Sequence, residues 1–96
     1  MYVLVVYDVN TTTKPGRRRL RHVAKICKNY GQRVQYSVFE CDVRPAQFEE
    51  MEDELKQTID EEWDSLRIYK LPKDRDRAVI VHGQDHFTDF DDPLIF

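Results

Sequence analysis

The sequence of 96 residues has few cysteines and no long apolar segment. Its longest apolar run, from Met1 to Tyr7, has seven residues, whereas a helix that crosses a bilayer needs about 20. The two cysteines, Cys27 and Cys41, lie far apart in the sequence, which excludes a disulfide framework and a cysteine-rich zinc module. Because the chain also lacks the basic leader and cleavage site of a secretory signal, we expect a protein of the reducing cytoplasm.

Several motifs of common enzymes and nucleotide-binding proteins are also absent. The chain has three glycines and contains no glycine-rich phosphate loop, no nucleophile elbow and no CxxC motif. Its predicted strands lack the aromatic signature of an RNA-recognition motif. The length predicts a single domain over residues 1–96, since two hydrophobic cores would not fit into so short a chain.

Charge is distributed unevenly along the chain, although the net charge is only −3. Residues 1–48 hold nine basic and three acidic side chains, whereas residues 49–96 hold six basic and fifteen acidic ones. Between Lys14 and Arg33 there are eight cations and no anion. This asymmetry favours a partner that carries phosphate, but two oppositely charged helices that attract each other within the fold would explain it equally well.

Hydrophobic periodicity predicts an α+β fold with a small sheet and helices on one face. The residues from 33 to 43 alternate as a strand does, and periodicity leaves open whether they form one strand or a hairpin bent near Tyr36 and Ser37. Residues 83–93 are typical of an acidic connector. The other predicted elements are strands over residues 2–8, 66–71 and 78–81 and helices over residues 15–30 and 45–59. The first strand is a nearly continuous β-branched and aromatic run, which predicts burial on both of its faces.

The first predicted helix has an apolar face and a basic face. Its apolar residues Leu20, Val23, Ala24 and Cys27 share one side, and the opposite side carries Arg18, Arg21, His22, Lys25, Lys28 and Asn29. Arg17, Arg18 and Arg19 fall in or near the first turn, where each exposed cation opposes the helix dipole at a cost of roughly 0.3–1 kcal/mol. A docked anion would offset that cost. The alternative is a solvated basic face that binds nothing.

Asp8 directly follows the first strand and is the candidate metal ligand. One carboxylate alone holds Mg²⁺ poorly, because magnesium sites usually combine one or two carboxylates with water and substrate phosphate. Two copies of Asp8 across a dimer axis would supply a metal-organised site for phosphodiester cleavage. The residues alone favour a simpler role, in which Asp8 caps the turn formed by residues 10–13.

Five stretches in the same order resemble the Cas2 family of small CRISPR-associated adaptation proteins. The most specific is GQRVQYSVFE at residues 31–40. The C-terminal stretch at residues 92–96 is similar to that of members found in subtype I-C loci. The other four are YVLVVYDV at 2–9, the arginine-rich helix at 17–28, DSLRIYKL at 64–71 and DPLIF at 92–96.

The resemblance implies a ferredoxin-like βαββαβ sandwich with an extra C-terminal strand. That fold requires residues 33–43 to be a hairpin. The resemblance also implies a homodimer by strand exchange at the C-terminus, in which Leu94, Ile95 and Phe96 add to the partner's sheet. Such strand addition would explain an apolar segment at the end of a polar tail.

The resemblance further implies a cytoplasmic, prokaryotic protein of CRISPR spacer acquisition. In that role a dimer is the scaffold that holds duplex DNA for the CRISPR integrase. The family is also associated with Mg²⁺-dependent endonuclease activity, with Mn²⁺ as an alternative metal, on double-stranded DNA or single-stranded RNA. Some members are catalytically inert, so the alternative is an inert nucleic-acid-binding or protein-interaction module, or a toxin-related RNase outside CRISPR.

Individual site residues follow from the same resemblance. Asp8 matches the metal-binding, catalytic aspartate of the family, and no general base stands out in the sequence. Nucleic-acid contacts are expected from seven cations, of which the resemblance implies Arg17, Arg19 and Arg33 and the basic face of the first helix supplies the other four. The resemblance also implies three supporting residues near them. The cations are Arg17, Arg18, Arg19, Arg21, Lys25, Lys28 and Arg33, and the supporting residues are Tyr7, Ser37 and Phe39.

Overall fold

The computed structural model describes residues 1–87. Its elements are β1 (Tyr2–Asp8), α1 (Lys14–Tyr30), β2 (Gly31–Gln35), β3 (Val38–Asp42), α2 (Pro45–Thr58), β4 (Ser65–Lys70) and α3 (Arg75–Ala78). The strands form one antiparallel sheet in the order β2-β3-β1-β4. The predicted α+β class and the ferredoxin-like order of elements are therefore confirmed. No helix within residues 1–87 is long and apolar enough to cross a membrane.

The hydrophobic core lies between the sheet and helices α1 and α2. Alternate residues of β1 are buried on the helix side, and the residues between them are half-buried on the opposite side, which we call the outer face. The continuous apolar run predicted a strand buried on both faces; the strand is confirmed, but within residues 1–87 only its helix side is fully buried. The buried core residues are Val3, Val5, Tyr7, Val9, Val23, Ile26, Cys27, Phe39, Cys41, Val43, Met51 and Leu55.

The segment from residue 33 to residue 43 contains a hairpin, as the ferredoxin-like fold requires. β2 ends at Gln35 and β3 begins at Val38, so the turn lies at Tyr36 and Ser37. The backbone N–H of Tyr7 donates to the Ser37 carbonyl at 3.1 Å, which places the turn beside the end of β1. Side chains alternate in the same way along one strand and along a hairpin, so periodicity could not separate the two.

The strand predicted over residues 78–81 is wrong. The chain forms the short helix α3 at Arg75–Ala78, and within the described residues the segment after it pairs with no strand. An apolar, β-branched segment becomes a strand only where a sheet edge offers it a partner. Residues 79–82 instead run over the outer face and line a groove there with Leu4, Val6 and Val38.

A buried ion pair attaches this last segment to the outer face. Arg75 donates from Nε to Glu40 Oε1 at 3.0 Å and from Nη2 to Glu40 Oε2 at 2.8 Å. Glu40 is only 4% exposed, and the Arg75 guanidinium also lies 3.4 Å from the centre of the Phe87 ring. The predicted C-terminal strand, Leu94, Ile95 and Phe96, lies outside the described residues, as does most of the acidic connector.

Candidate nucleic-acid and metal site

Asp8 occupies the last position of β1, opposite Ser65 of β4. It is exposed on the outer face of the sheet, and within residues 1–87 its carboxylate has no hydrogen-bond or ion-pair partner. The turn after it is capped instead by Asn10, whose Oδ1 accepts from the Thr12 backbone N–H at 3.0 Å and from its hydroxyl at 2.6 Å. The simpler role suggested for Asp8, a turn cap, is therefore wrong.

A surface depression beside Asp8 is formed by the β1–α1 loop and by the chain that enters β4. It is lined by Asp8, Asn10, Thr11, Thr12, Glu62, Trp63, Asp64 and Ser65. The described part of the chain contains no group of three or more His, Cys, Asp or Glu side chains that could hold a metal ion. An exposed single carboxylate does fit Mg²⁺ that is held largely by water and phosphate, with a second carboxylate from another chain.

Asp64 connects three parts of the site. Its side chain is fully buried and accepts from Arg19 Nε at 2.7 Å and from Arg19 Nη2 at 3.2 Å. It also accepts from the backbone N–H of Asn10 at 3.0 Å and of Asp60 at 2.9 Å. The hydrogen bond from Arg19 is the main reason that the pKa of Asp64 falls to about 2. Asp64 therefore ties α1 and the loop after Asp8 to the start of β4.

The basic face of α1 is exposed, as its spacing predicted. Arg18, Arg21, His22, Lys25 and Lys28 all reach solvent, and α1 contains no acidic residue. The helix begins after Thr13, whose hydroxyl accepts from the Gly16 N–H at 3.1 Å. The ion pairs of residues 1–87 include none between α1 and α2, although Glu54 of α2 lines the same depression as Arg18 and Lys25 of α1, so attraction between the two helices stays an alternative.

The first-turn arginines have different surroundings. Arg19 is 20% exposed and is bound by Asp64, so its charge is already balanced within the chain. Arg17 is exposed and donates from Nη1 to the Thr11 carbonyl at 3.3 Å, beside the Asp8 depression. Arg18 points to solvent on the basic face. Contacts of these three residues with nucleic acid stay predictions.

Tyr7 and Phe39, the predicted supporting residues, lie in the core below the hairpin turn. Tyr7 is 3% exposed and Phe39 is fully buried, with their ring centres 6.2 Å apart. Tyr7 donates from its hydroxyl to the Tyr36 carbonyl at 3.4 Å, and burial raises the pKa of Tyr7. The exposed Arg33 lies above Phe39, with its guanidinium carbon 5.1 Å from the ring centre. Both aromatic residues therefore support the turn from beneath, while Ser37 lies half-buried within it.

Sequence reasoning missed Asp64, Tyr36 and Trp63 as parts of this region. Asp64 is 45 residues from Arg19 and 54 from Asn10, so no local spacing could have paired them. Tyr36 and Trp63 are 93% and 61% exposed, both in turns. A usable signal was present for both residues, since large aromatic side chains are unusual at turn positions.

Known proteins share this fold and sequence. The profile of the family described as CRISPR associated protein Cas2 matches residues 1–79. The "CRISPR-associated endoribonuclease Cas2 1" of Moorella thermoacetica is 52% identical over 95 residues, which cover 99% of each chain. The "CRISPR-associated endonuclease Cas2" of Halalkalibacterium halodurans is 52% identical over 96 residues, which cover all of both chains.

Solved structures agree with these sequence matches. The crystal structure of Streptococcus pyogenes Cas2 at pH 6.5 has a TM-score of 0.78 and 59% sequence identity, and the match covers 86% of this chain and 100% of that one. A crystal structure described as cas2 has a TM-score of 0.71 and 40% identity, with 93% of each chain covered. The sheet order, the hairpin at Tyr36 and Ser37 and these matches lead to one conclusion: the chain belongs to the Cas2 family of CRISPR-associated proteins.

Proposed function

We propose that a homodimer of this chain is the scaffold on which a CRISPR integrase holds a DNA duplex during spacer acquisition. The observation that carries the proposal is the basic face of α1, which is exposed and has no acidic residue within its helix. Such a face neutralises phosphates without reading base sequence. One copy from each protomer would contact the same duplex, with Arg17 and Arg33 as further phosphate contacts.

Two other surfaces are assigned to protein partners in this proposal. The segment Leu94, Ile95 and Phe96 pairs with the partner's sheet in the dimer. The integrase contacts the acidic side of α2, because exposed carboxylates attract a basic protein surface. That side carries Glu49, Glu50, Asp53 and Glu54, which are all exposed.

Salt dependence of duplex binding tests the scaffold. Binding of a fluorescent duplex should weaken with salt at a slope of about −0.9 per contacted phosphate. The double variant Lys25→Glu and Lys28→Glu should bind more weakly and with a shallower slope. The matched control is Lys56→Glu, which changes an exposed lysine of α2 and should leave the slope as it is. A flat salt response of the wild-type protein would overturn the scaffold role.

A second activity, metal-dependent cleavage of phosphodiester bonds, is favoured by the position of Asp8. Its carboxylate is exposed and unpaired at the end of a buried strand, so it is free to bind a metal ion. Asp8 from each protomer would hold one Mg²⁺, or Mn²⁺ as the alternative. When bound, the ion would stabilise negative charge on the scissile phosphate. The relatives named endoribonuclease and endonuclease support cleavage of nucleic acid.

The chain's own residues contribute position and charge to this chemistry. β1 lies between β3 and β4, the Asp8 backbone pairs with Ser65 of β4, and Asp64 holds the loop that follows. Arg17 and Arg33 would bind phosphates on either side of Asp8. Within residues 1–87 the carboxylate of Asp64 is occupied by Arg19 and two backbone N–H groups, so it is not proposed as a ligand or a base.

Cleavage assays test this second activity. Wild-type protein, Asp8→Ala and the control Asp53→Ala would be incubated with duplex DNA and with single-stranded RNA, in Mg²⁺, Mn²⁺ or EDTA. We expect cleavage that requires both metal and Asp8 and that is unaffected by Asp53→Ala. If Asp8→Ala cleaved as fast as wild type, the nuclease proposal would be overturned. Salt-dependent binding without cleavage would support the alternative of an inert nucleic-acid-binding module. Membership of the Cas2 family argues against a toxin-related RNase outside CRISPR.

A further inference from the structure

Two large aromatic side chains are exposed at the same end of the sheet as Asp8. Tyr36 is 93% exposed at the tip of the β2–β3 hairpin, and Trp63 is 61% exposed in the turn before β4. Both positions are turns, where small polar residues are preferred and an aromatic ring adds nothing to the core. Neither ring is therefore explained by folding alone.

The sheet order places the two chain segments that carry these rings on opposite sides of the end of β1, where Asp8 lies. β1 lies between β3 and β4, and both neighbours run antiparallel to it, so the start of each lies beside the end of β1. Tyr36 comes just before β3, and Trp63 comes just before β4. Adjacent strands are about 4.8 Å apart, so the two flanking chains are separated by about 10 Å.

The backbone that presents each ring is held in place. The carbonyl of Tyr36 accepts from the Tyr7 hydroxyl at 3.4 Å, and the next residue is bonded to the Tyr7 N–H. The N–H of Trp63 donates to the Asp60 carbonyl at 3.0 Å, and the next residue is the buried Asp64. Trp63 and Asp8 line the same depression. Rings on a fixed backbone lose little conformational entropy when a ligand stacks on them.

An arginine accompanies each ring. Arg33 and Tyr36 line one depression on the hairpin side of Asp8. On the other side, Arg17 bonds to the carbonyl of Thr11, which lines the Trp63 depression. Aromatic rings combined with cations are the chemistry by which proteins bind unpaired nucleic-acid strands, since bases stack on the rings and phosphates contact the cations.

We propose that Tyr36 and Trp63 are base-stacking residues that hold an unpaired nucleic-acid strand across Asp8. The inference rests on the proposed function and specifies that the nucleic acid at the Asp8 site is single-stranded. A duplex keeps its bases stacked inside and offers only phosphates at this surface, so the rings would select a single strand. The two flanking backbones, about 10 Å apart, span about three nucleotide steps of a stacked strand at 3.4 Å each.

Tryptophan fluorescence tests the proposal directly, because Trp63 is the only tryptophan in the sequence. The full-length protein would be titrated in EDTA with a short single-stranded DNA and, separately, with a duplex of the same sequence. Anisotropy of a labelled strand would measure binding in parallel. We expect saturable quenching of Trp63 emission by the single strand and little change with the duplex.

Variants separate stacking from charge. Tyr36→Ala and Trp63→Ala should each weaken single-strand binding by about tenfold and leave duplex binding unchanged. Tyr36→Phe, which keeps the ring, should bind as wild type does. The matched control is Tyr69→Ala, because Tyr69 is also exposed but faces Leu4 in the middle of the outer face. The exposure of both rings means that the variants should fold, and circular dichroism would verify it.

Three results would overturn the inference. The first is single-strand binding that neither changes Trp63 emission nor depends on Tyr36. The second is an equal loss of duplex binding in the variants. The third is Trp63 emission that depends on protein concentration without nucleic acid, which would place a second copy of the chain over the ring. Absence of binding to both nucleic acids would instead overturn the proposed function itself.

Discussion

The guanidinium of Arg19 donates two hydrogen bonds to the carboxylate of Asp64, at 2.7 and 3.2 Å. The same carboxylate accepts from the backbone of Asn10, two residues after the candidate metal ligand Asp8. The pair therefore links the first turns of α1 to the loop that leaves β1. The Asp64 carboxylate also neutralises the charge of Arg19, which would otherwise oppose the dipole of α1. At least one of the three first-turn arginines therefore has a structural role.

The first prediction concerns the pH dependence of stability. Folding lowers the pKa of Asp64 from 3.8 to about 2, mainly through its hydrogen bond with Arg19. The folded state therefore holds its proton less tightly than the unfolded state. The carboxylate stabilises the fold above pH 4 by on the order of 2 kcal/mol, and this contribution is lost as the pH falls from about 4 to about 2.

Asp64→Asn should consequently be less stable than wild type at pH 7. The difference in the free energy of unfolding should shrink as the pH approaches 2. Urea unfolding of both proteins across this range measures it, with Asp53→Asn as the exposed control. A difference that stays constant with pH would contradict the assignment of the low pKa to Asp64.

The second prediction concerns the buried pair on the outer face. Arg75→Ala would leave the carboxylate of Glu40 buried without its partner, which typically costs about 3–5 kcal/mol. The double variant Glu40→Gln and Arg75→Ala should recover part of that stability, because no buried charge is left unpaired. Chemical denaturation measures the loss, and hydrogen exchange should show faster opening of residues 79–87. The control is Arg77→Ala, since the Arg77 side chain is 89% exposed.

The third prediction concerns the close approach of α1 to the loop after Asp8. A Cβ atom at Gly16 would collide with the backbone carbonyl of Asn10. Backbone cannot rotate away as a side chain does, so the loop would have to move, and overpacking of this kind costs about 1–3 kcal/mol. Gly16→Ala should therefore lower the melting temperature even though alanine favours helices more than glycine does. Lys14→Ala is the exposed control in the same turn, and a raised melting temperature of Gly16→Ala would contradict the contact.

The fourth prediction concerns the two cysteines. Cys27 and Cys41 are fully buried, and burial raises the pKa of each thiol to about 12. The thiolate is the reactive form, so both side chains should resist alkylation at neutral pH in the folded protein. Mass spectrometry after treatment with iodoacetamide should show labelling only when denaturant is added. Rapid labelling of the native protein would contradict the burial of these thiols.

The outcome for individual elements shows what can be inferred from sequence. The strand β1 and the helices α1 and α2 were predicted correctly because their signals are local, in the β-branched and aromatic run from Tyr2 to Tyr7 and in the helical spacing of Val23 and Cys27. The basic face of α1 followed from the same spacing. The hairpin at Tyr36 was left open by periodicity and was implied only by the resemblance. The prediction of a strand over residues 78–81 was wrong because a strand needs a hydrogen-bonding partner in the sheet, and the periodicity of a sequence does not indicate whether one is available.

The sequence by itself determined where strands and helices form and which faces are apolar or basic, because those properties depend on neighbours within a few residues. The tertiary structure alone established that Arg19 is bound by Asp64 and that the segments carrying Tyr36 and Trp63 lie on either side of the end of β1. These residues are far apart in the chain, and only the packing of α1 on the sheet and of β1 between β3 and β4 brings them together.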